Sequence, residues 1–357
     1  MKVIFLIPSM SGGGAERVIS VLANEFVRQG IETGILMTAG NECVYDLHPE
    51  ITLFQAGERT GGSLLKRIKR ISGMRRYFKK NRDAILVAFE PDAAFFGCVA
   101  KAGLRMKMIA SERNDPASFG NNRARSFAYR CADRIVFQTE DARKYFPANI
   151  QKKGTIIANP IDENLPKPYT GRRKKTVVCI GRLEKQKNHM LLLSAFQQFV
   201  QEYSDYTLHL YGKGSLEEEI RNTAKEIGIG EKVIFEGFQK NIPDKIADAG
   251  MFVLSSDYEG ISNSLLEAMA IGLPVVSTDC PCGGSGMCIR DGQNGYLVPV
   301  GDAQALCTAM KKIAADEEKT AEIGREAVKI RETFSTGNIA GKWIQVLKET
   351  EKSENRG

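Results

Sequence analysis

The chain has 357 residues, of which 43% are hydrophobic and 26% are charged, a composition typical of soluble globular proteins and long enough for two domains. No segment approaches the roughly 20 consecutive apolar residues of a membrane-spanning helix. The net charge of +7 is uneven, because residues 1–168 carry +9 and the remainder carries −2. We therefore expect only the first half of the chain to meet an anionic surface.

The chain opens with a short apolar run that contains one lysine and leads directly into a glycine-rich turn. This run is too short for a signal peptide and predicts a first buried strand, so we expect a cytoplasmic location. Eight cysteines are scattered along the chain without a CxxC pair, and only three histidines accompany them. A close pair at Cys280 and Cys282 has no second pair of ligands nearby. These patterns predict neither a disulfide framework nor a zinc site.

Apolar runs of strand length alternate with amphipathic helical stretches throughout the chain. This alternation predicts parallel sheets covered by helices on both faces, with ligands at the carboxyl ends of strands near a topological switch point. Three prolines and a charge run at 159–175 indicate a linker. We expect an α/β protein with two doubly wound, Rossmann-like domains facing across a cleft. The predicted domains are 1–165 and 166–335, followed by a helix and tail at 336–357, which contain the only tryptophan, Trp343, and return to the first domain.

The first turn, Gly12–Gly14, follows a strand and opens a helix. Consecutive glycines let backbone N–H groups approach an anionic oxygen, and the helix N-terminus adds a favourable dipole. The spacing is neither that of a dinucleotide-binding fingerprint nor that of a phosphate-binding loop with its lysine. A tight turn without any ligand explains the same residues equally well.

The segment 64–80 has the pattern of a basic amphipathic helix. Its apolar residues at helical spacing are Leu64, Leu65, Ile68, Ile71, Met74 and Phe78. This stripe indicates packing on the first domain. The excess of cations also predicts peripheral contact with an anionic membrane. Nucleic acid would need a similar charge, but no pattern of stacking aromatic residues accompanies it, so we predict no nucleic-acid partner.

Strand ends in the second half also present charged or aromatic side chains. Arg182 and Lys187 follow one predicted strand, where a guanidinium fork and a point charge could clamp a diphosphate. The alternative for this pair is a solvated basic loop. A glycine turn at 211–214 follows the next strand, and Phe238 follows the one after it. Phe238 is either one wall of a base pocket or a core residue.

The segment from Glu259 to Glu267 is the strongest feature of the sequence. Its two carboxylates bracket the start of a helix, where each could accept hydroxyl groups of a sugar. A capping box, Ser264-x-x-Glu267, would explain Glu267 but would leave Glu259 unexplained. The same turn offers backbone groups to a phosphate at Gly260, Ile261, Ser262 and Asn263.

The context of these glutamates, EGISNSLLEAMAIGLPVV, resembles the glutamate-pair signature of family 4 glycosyltransferases, which are retaining enzymes of the two-Rossmann-domain (GT-B) type. The resemblance covers nearly the whole chain through IPSMSGGGAERV, CIGRLEKQKN, LHLYGKGSLEEEI, VIFEGF and DGQNGYLVPVGD. It implies that the first domain binds an acceptor and that the second binds a nucleotide sugar. The family typically needs no metal, and the absence of an Asp-x-Asp motif here agrees.

The resemblance also implies roles for single residues. Arg182 and Lys187 would bind the donor diphosphate. Glu267 would bind the ribose hydroxyls, and Glu259 would bind the donor sugar. The Gly12–Gly14 turn would face the donor phosphate or the acceptor. Relatives with this turn build lipid-linked glycans, capsule or exopolysaccharide. The implied donor is therefore a UDP-linked hexose or N-acetylhexosamine. The implied acceptor is a glycan, such as one linked to polyprenyl diphosphate at the inner face of the cell membrane.

The sequence departs from the family at 110–116, where many members carry a histidine near the reacting sugar. No histidine is present there. Glu112, Arg113 and Asn114 become the candidates for contacting the sugar or the leaving diphosphate, against a plain strand-end turn. Two other functions stay open: a nucleotide-sugar 2-epimerase on the same fold, which needs no acceptor, and a non-catalytic basic module that binds membrane or nucleic acid.

Overall fold

The computed structural model describes residues 1–40, 42–56, 64–120 and 122–352, without the side chains of Leu64, Leu65 and Phe119. The chain forms two compact units. Unit 1 comprises Met1–Pro160 and Thr336–Gly357, and unit 2 comprises Ile161–Ser335. The division falls before the end of the first domain expected at residue 165, and Ile161 already pairs with Ser335 of unit 2 in an isolated parallel bridge.

The first unit alternates strands and helices as its apolar runs predict. Its strands are β1 (Lys2–Ile7), β2 (Glu32–Met37), β3 (Thr52–Gln55), β4 (Ile85–Phe89), β5 (Met108–Ser111), β6 (Arg134–Phe137) and β7 (Gly154–Ile156). The helices between them are α1 (Gly14–Arg28), α2 (Leu64–Lys80), α3 (Pro91–Lys101), α4 (Arg123–Cys131), α5 (Glu140–Lys144) and α6 (Ala148–Gln151). A 3₁₀ turn covers Pro116–Phe119.

The second unit repeats this alternation. Its strands are β8 (Thr176–Ile180), β9 (Thr207–Tyr211), β10 (Val233–Gly237), β11 (Met251–Leu254), β12 (Val275–Thr278) and β13 (Tyr296–Val298). Its helices are α7 (His189–Phe199), α8 (Glu217–Glu226), α9 (Ile242–Ile246), α10 (Asn263–Ala270), α11 (Gly284–Cys288), α12 (Ala303–Ala315), α13 (Glu317–Val328) and α14 (Ile330–Thr333). Short 3₁₀ turns cover Lys185–Lys187 and Gly230–Lys232, and the last helix of the chain, α15 (Thr336–Lys352), belongs to unit 1.

Both units contain a parallel sheet with one reversal of strand order. Within the described residues, the order is β3-β2-β1-β4-β5-β6-β7 in unit 1 and β10-β9-β8-β11-β12-β13 in unit 2. The order reverses between β1 and β4 and between β8 and β11. The strands nearest these reversals are almost wholly buried, as expected for parallel strands covered on both faces. These two reversals are the topological switch points at which such folds bind ligands.

The C-terminal helix completes unit 1, as the sequence predicts. α15 contacts α1, and its Trp343 is fully buried. The indole stacks on the ring of Phe89 at the end of β4, with centroids 5.7 Å apart and an angle of 20° between the rings. The last helix therefore supports the strand end that faces the switch point of unit 1.

The basic helix α2 has the predicted bounds, but its apolar stripe packs only in part. Met74 and Phe78 are fully buried, whereas Ile68 is 55% exposed. The prediction that Ile68 belongs to the packed stripe is therefore wrong. Among the described side chains of α2, the fully buried ones lie in its C-terminal half, where the ring of Tyr77 also stacks on Phe54. The contribution of Leu64 and Leu65 to the stripe lies outside the described side chains.

In unit 2, glycines at the carboxyl ends of β8, β9 and β10 continue the hydrogen bonding between these strands into the turns that follow them. Gly181 donates its N–H to the carbonyl of Tyr211 at 2.9 Å, and Gly212 donates its N–H to the carbonyl of Gly237 at 2.8 Å. A Cβ on Gly212 would lie 1.9 Å from the carbonyl oxygen of Gly181, and its φ of +140° also favours glycine. The residues that follow β8, β9 and β10 are thereby fixed in a row at the carboxyl edge of the sheet. Among the described helices, none is both long enough and apolar enough to span a bilayer.

Candidate functional site

The basic turn after β8 and the acidic turn after β11 meet at the switch point of unit 2. They lie side by side because β8 pairs directly with β11. The Lys187 ammonium forms an ion pair with Oε1 of Glu259, and the hydroxyl of Ser256 donates to the same oxygen at 2.9 Å. The side chains of Lys187 and Glu259 are only 13% and 10% exposed. The pair is thus largely removed from water. Its electrostatic interaction is therefore stronger than that of an ion pair on an open surface.

Polar contacts between the two turns hold this ion pair in place. The side-chain amide of Gln186 donates to the backbone carbonyl of Tyr258 at 2.9 Å, and the backbone carbonyl of Gln186 accepts the N–H of Asp257 at 2.9 Å. Asn188 donates its side-chain amide to Asp257 at 2.6 Å. Asn188 has a φ of +42°, a left-handed conformation that asparagine tolerates better than most residues. The two turns therefore behave as one connected segment.

Arg182 is the second cation of the basic turn. Its side chain is exposed and makes a long hydrogen bond of 3.5 Å to the side-chain oxygen of Gln186. Among the described residues, it forms no ion pair within 4.0 Å. His189 follows on α7, and burial together with the charge of Lys187 lowers its pKa to about 4. His189 is therefore neutral near pH 7, and the positive charge of this turn comes from lysine and arginine.

The capping box Ser264-x-x-Glu267, the alternative explanation of Glu267, is not formed. Helix α10 begins at Asn263, and its N-cap is Ser262, whose hydroxyl accepts the N–H of Leu265 at 3.4 Å. Ser262 has the extended backbone that an N-cap requires, whereas Ser264 already lies inside the helix and donates to the carbonyl of Ile180 at 3.3 Å. Capping by Ser264 therefore does not explain Glu267, a carboxylate that is only 9% exposed.

The acidic turn packs against the end of β12 and the segment that follows it. A Cβ on Gly284 would lie 1.7 Å from the carbonyl oxygen of Gly260, so the two backbones are in contact at a distance that only glycine allows. Thr278 donates its hydroxyl to the carbonyl of Ser256 at 2.6 Å. Ile261 and its neighbour in the N-cap position are buried, and Asn263 is half-buried. The turn that carries Glu259 is thus held rigidly.

Phe238 and Lys213 extend the same edge beyond the two turns. Phe238 directly follows β10 and is 51% exposed, so the interpretation of this residue as part of the core is wrong. Lys213 follows β9 and is exposed, and its Cε lies 3.7 Å from where a Cβ of Gly237 would stand. Lys213 was missed in the sequence because only its flanking glycines were considered. Its position two residues beyond the end of β9 was the available signal.

The glycine turn of unit 1 follows β1, also at a switch point. Gly12 has a φ of +122°, and Gly13 is the N-cap of α1. The hydroxyl of Tyr45 donates to the carbonyl of Gly13 at 2.7 Å. The carboxylate of Glu16 folds against the turn, because a Cβ on Gly13 would lie 2.0 Å from its Oε2. The start of α1 therefore presents a carboxylate beside its backbone N–H groups.

Glu112, a predicted sugar contact, is enclosed within unit 1. The hydroxyl of Tyr129 donates to its Oε2 at 3.0 Å, and the guanidinium of Arg125 lies 3.6 Å from the same oxygen. Burial raises the pKa of Glu112 to about 7, against the opposing effect of Arg125. The side chain has no exposed surface, so in this conformation it supports the interior and offers no contact to a sugar.

Arg113 and Asn114 lie at the end of β5. The Arg113 guanidinium lies over the ring of Phe89 at 4.8 Å and donates to the side-chain oxygen of Asn159. Burial lowers the pKa of Arg113 to about 9, which leaves it a cation at neutral pH. Asn114 is half-buried and accepts the N–H of Asp115 at 2.9 Å. Of the three residues predicted here, Arg113 is the one cation, and its contacts with Phe89 and Asn159 hold it in place.

Glu90 was missed in the sequence analysis. It directly follows β4 at the switch point of unit 1, is half-buried and has a φ of +75°, which is rare for a residue with a side chain. Its negative charge raises the pKa of Arg113, so the two groups interact. The Glu-Pro pair at the end of a long apolar run was the signal that could have identified it.

The predicted residues therefore fall into two groups, each at the carboxyl edge of one sheet. In unit 2, two cations and two buried carboxylates suit a ligand with both phosphate and hydroxyl groups. In unit 1, the glycine turn, Glu90 and Arg113 surround the other switch point. Within the ranges that the structure describes, no three His, Cys, Asp or Glu residues are grouped so that they could hold a metal ion.

Comparison with known families identifies both halves of the chain. Residues 12–165 match the family described as Glycosyltransferase Family 4, and residues 174–316 match the family described as Glycosyl transferases group 1. The chain belongs to this glycosyltransferase family. The resemblance seen in the sequence is thus confirmed, and this glycosyltransferase is a transferase enzyme.

Individual relatives of the glycosyltransferase cover nearly its whole length. A Campylobacter jejuni protein is 24% identical over 99% of this chain and 100% of its own, and is named GalNAc-alpha-(1->4)-GalNAc-alpha-(1->3)-diNAcBac-PP-undecaprenol alpha-1,4-N-acetyl-D-galactosaminyltransferase. Among solved structures, Staphylococcus aureus TarM in complex with UDP and other ligands has a TM-score of 0.83 at 14% identity, covering 97% of this chain and 99% of TarM. Anabaena HepE with UDP and glucose has a TM-score of 0.80 at 20% identity, covering 98% and 99%. These structures confirm the two-domain GT-B fold.

Proposed function

We propose that this glycosyltransferase moves a hexose or N-acetylhexosamine from a UDP-sugar to a hydroxyl of a lipid-linked glycan. The anomeric configuration is retained, and the reaction needs no metal. The observation that carries the proposal is the buried Lys187–Glu259 pair at the switch point of unit 2. Arg182 lies on the same basic turn, and Glu267 lies on α10, the helix that follows the acidic turn. This edge supplies cations for a diphosphate and carboxylates for hydroxyl groups.

The charges of unit 2 match the charges that develop in the reaction. When the bond between sugar and diphosphate breaks, the leaving diphosphate gains negative charge. Arg182 and Lys187 stabilise that charge because they are already in place before the reaction. Glu259 accepts hydroxyl groups of the donor sugar, and Glu267 accepts those of the ribose. The exposed ring of Phe238 provides one wall for the base.

The N-terminal end of α10 contributes to binding the same diphosphate. The segment Gly260–Asn263 lies where the helix dipole is positive, and it is held in place by Gly284. Two of the solved relatives, TarM and HepE, contain UDP, which supports UDP as the leaving group. The proposed donor is therefore a UDP-sugar that lies along the carboxyl edge of unit 2.

Unit 1 is proposed to bind the acceptor. The carboxylate of Glu16 beside the Gly12–Gly14 turn favours hydroxyl groups over a second phosphate, because it would repel an anion. Arg113 and Asn114 are the proposed contacts to the reacting sugar or the leaving diphosphate. The Campylobacter jejuni relative is named for an undecaprenol-linked substrate, which supports an acceptor of the polyprenyl-diphosphate type in bacterial surface polysaccharide or glycoprotein glycan assembly.

Peripheral contact with an anionic membrane, at its inner face, is part of the proposal. Helix α2 contains no acidic residue, and its Ile68 is exposed among lysines and arginines. The guanidinium of Arg70 lies over the ring of Phe96 at 5.4 Å, which joins α2 to α3. On α4, the ring of Phe127 is 48% exposed and contacts Phe95 at 6.2 Å. Exposed apolar side chains beside cations are typical of surfaces that bind anionic lipids.

Vesicle binding tests the membrane contact. Each cation near an anionic bilayer contributes on the order of 1 kcal/mol, so the double variant Arg67→Glu with Lys69→Glu should bind phosphatidylglycerol vesicles more than tenfold more weakly than the unchanged protein. The matched control is Lys342→Glu with Lys348→Glu on α15, which should bind normally. Equal binding by both double variants would contradict a contact through α2.

Transfer activity tests the proposed site. Glu259→Gln and Glu267→Gln should each lower the transfer of sugar from UDP-N-acetylgalactosamine to a polyprenyl-diphosphate-linked glycan by at least a hundredfold. Glu236→Gln, which changes a carboxylate paired with His209 elsewhere in unit 2, should transfer normally. Full transfer by the first two variants would refute the site. Conversion of the donor sugar without any acceptor would instead favour the 2-epimerase.

A further inference from the structure

The Lys187–Glu259 ion pair raises a question about how the site binds its ligands. The proposed function requires Lys187 to contact the donor diphosphate and Glu259 to contact the donor sugar, yet the two groups already bind each other. Both are mostly buried, and Ser256 adds a hydrogen bond to the same carboxylate oxygen. A pair shielded from water in this way interacts more strongly than one on an open surface.

Lys187 can turn only a short way from this partner. Its Cε would lie 2.8 Å from a Cβ on Gly181, so the stem of the side chain passes directly over that glycine. The turn that carries it is tied to the acidic turn through Gln186 and Asn188. A diphosphate that approaches the Lys187 ammonium must therefore also approach the Glu259 carboxylate.

The two possible occupants of the site experience this carboxylate differently. An intact donor brings a sugar whose hydroxyl groups can donate to Glu259, so the carboxylate keeps hydrogen bonds when Lys187 turns to the diphosphate. A nucleoside diphosphate without its sugar brings only acceptor oxygens. Its negative charge is repelled by the carboxylate in surroundings with little water, and it brings no sugar hydroxyl group that could donate a hydrogen bond to Glu259.

We propose that Glu259 makes the site select the sugar-loaded donor against the spent nucleoside diphosphate, by competing with the diphosphate for Lys187. The inference rests on the proposed function. Before the reaction, the donor sugar occupies Glu259 and leaves Lys187 to the diphosphate. After transfer, the sugar is gone, the ion pair forms again, and the hold of Lys187 on the product weakens. Glu259 thereby promotes release of the product as well as binding of the donor.

Binding of UDP to a variant without this charge tests the inference. Glu259→Gln keeps the size of the side chain and an oxygen that can accept from Ser256, but it removes the competing charge. UDP should bind this variant about tenfold more tightly than the unchanged protein, a difference of about 1.4 kcal/mol. UDP-N-acetylgalactosamine should gain less, so the preference for donor over product should shrink. Isothermal titration calorimetry measures both dissociation constants.

Two further variants isolate the cause. Glu236→Gln removes a carboxylate that is hydrogen-bonded to His209 on a neighbouring strand, so it should leave UDP affinity unchanged. Lys187→Gln removes the group for which Glu259 competes. In a protein that already has this change, adding Glu259→Gln should alter UDP affinity less than threefold, because the coupling between two contacting residues disappears when one is absent. Thermal unfolding verifies that each variant is folded.

The outcomes separate the inference from the proposed function. If the unchanged protein binds UDP and Glu259→Gln binds it equally or more weakly, the competition is refuted while the proposed function stands. A tenfold gain that persists without Lys187 also refutes it, because general repulsion would then be the cause. If the unchanged protein binds neither UDP nor UDP-N-acetylgalactosamine, the proposed function fails, and the inference fails with it.

Discussion

The fully buried indole of Trp343 allows a quantitative prediction for unit 1. Trp343 stacks on Phe89, which also contacts the ring of Phe5 at 5.8 Å and supports the guanidinium of Arg113. Trp343→Ala removes a side chain without exposed surface from this stack. Truncations of this kind cost about 3–5 kcal/mol, because the cavity closes only in part. We therefore expect a loss of about 3–5 kcal/mol in the free energy of unfolding of unit 1.

Hydrogen exchange measured by mass spectrometry can localise this loss. Since 1.4 kcal/mol is a factor of ten, amides of β1 and β4 that exchange through opening of the whole unit should exchange between two and four orders of magnitude faster in Trp343→Ala. Peptides from β8 and β11 serve as the internal reference and should change far less. Trp343→Phe keeps a ring against Phe89, so the exchange rates of β1 and β4 in this variant should lie between those of Trp343→Ala and those of the unchanged protein. Exchange of β4 within threefold of the unchanged protein would refute a role for α15 in completing this sheet.

Three further predictions concern buried groups and the turns of the site. In Glu112, burial raises the pKa to about 7 from an ordinary value of 4.5, so the folded state binds the proton more tightly and stability falls as the pH rises through this window. Glu112→Gln lacks this loss. In urea unfolding, the free energy of unfolding of Glu112→Gln relative to that of the unchanged protein should therefore rise by up to about 3 kcal/mol between pH 4.5 and pH 8. Gly284→Ala must displace the backbone of Gly260 and should lower kcat for sugar transfer at least tenfold. Asn188→Ala loses the hydrogen bond to Asp257 and strains the left-handed backbone, so kcat should fall about tenfold with KM for the donor raised. Asn188→Gly restores the backbone freedom alone and should recover only part of the loss.

Each of these has an opposite result that would contradict it. A stability difference between Glu112→Gln and the unchanged protein that does not vary with pH would show that the carboxyl keeps its ordinary pKa. Normal kcat in Gly284→Ala would show that the acidic turn tolerates a shift of its backbone. If Asn188→Gly restored full activity, the backbone conformation would matter and the hydrogen bond to Asp257 would not.

The positions of the site residues at the strand ends of unit 2 were predictable from the sequence, but the side chains that they contact were not. Arg182 and Glu259 each follow an apolar run of strand length, which places them at the carboxyl edge of a parallel sheet. Their adjacency depends on the pairing of β8 with β11, two strands that are neighbours in the sheet but not consecutive along the chain. The Lys187–Glu259 ion pair joins residues 72 positions apart, so no local pattern indicates it.

Errors arose where a local pattern had two solutions or where packing decided the outcome. Ser262 and Ser264 both lie near the start of α10, and the extended backbone of Ser262 makes it the cap, whereas Ser264 is already inside the helix. The helical spacing of α2 cannot show that Ile68 is exposed while Met74 and Phe78 of the same stripe are buried. Glu112 follows a strand end like the site residues of unit 2, yet it is buried, and Tyr129 and Arg125 of α4 bind its carboxylate.

Release of UDP with and without an acceptor tests the central claim most directly. The purified chain is supplied with UDP-N-acetylgalactosamine, alone and together with a polyprenyl-diphosphate-linked glycan, and the free UDP is followed over time. Release that depends on the acceptor, with one sugar added to the glycan for each UDP, is the result that a donor held between Arg182, Lys187, Glu259 and Glu267 predicts. Release at the same rate without acceptor, or no release although the protein is folded, would contradict sugar transfer from this donor at this site.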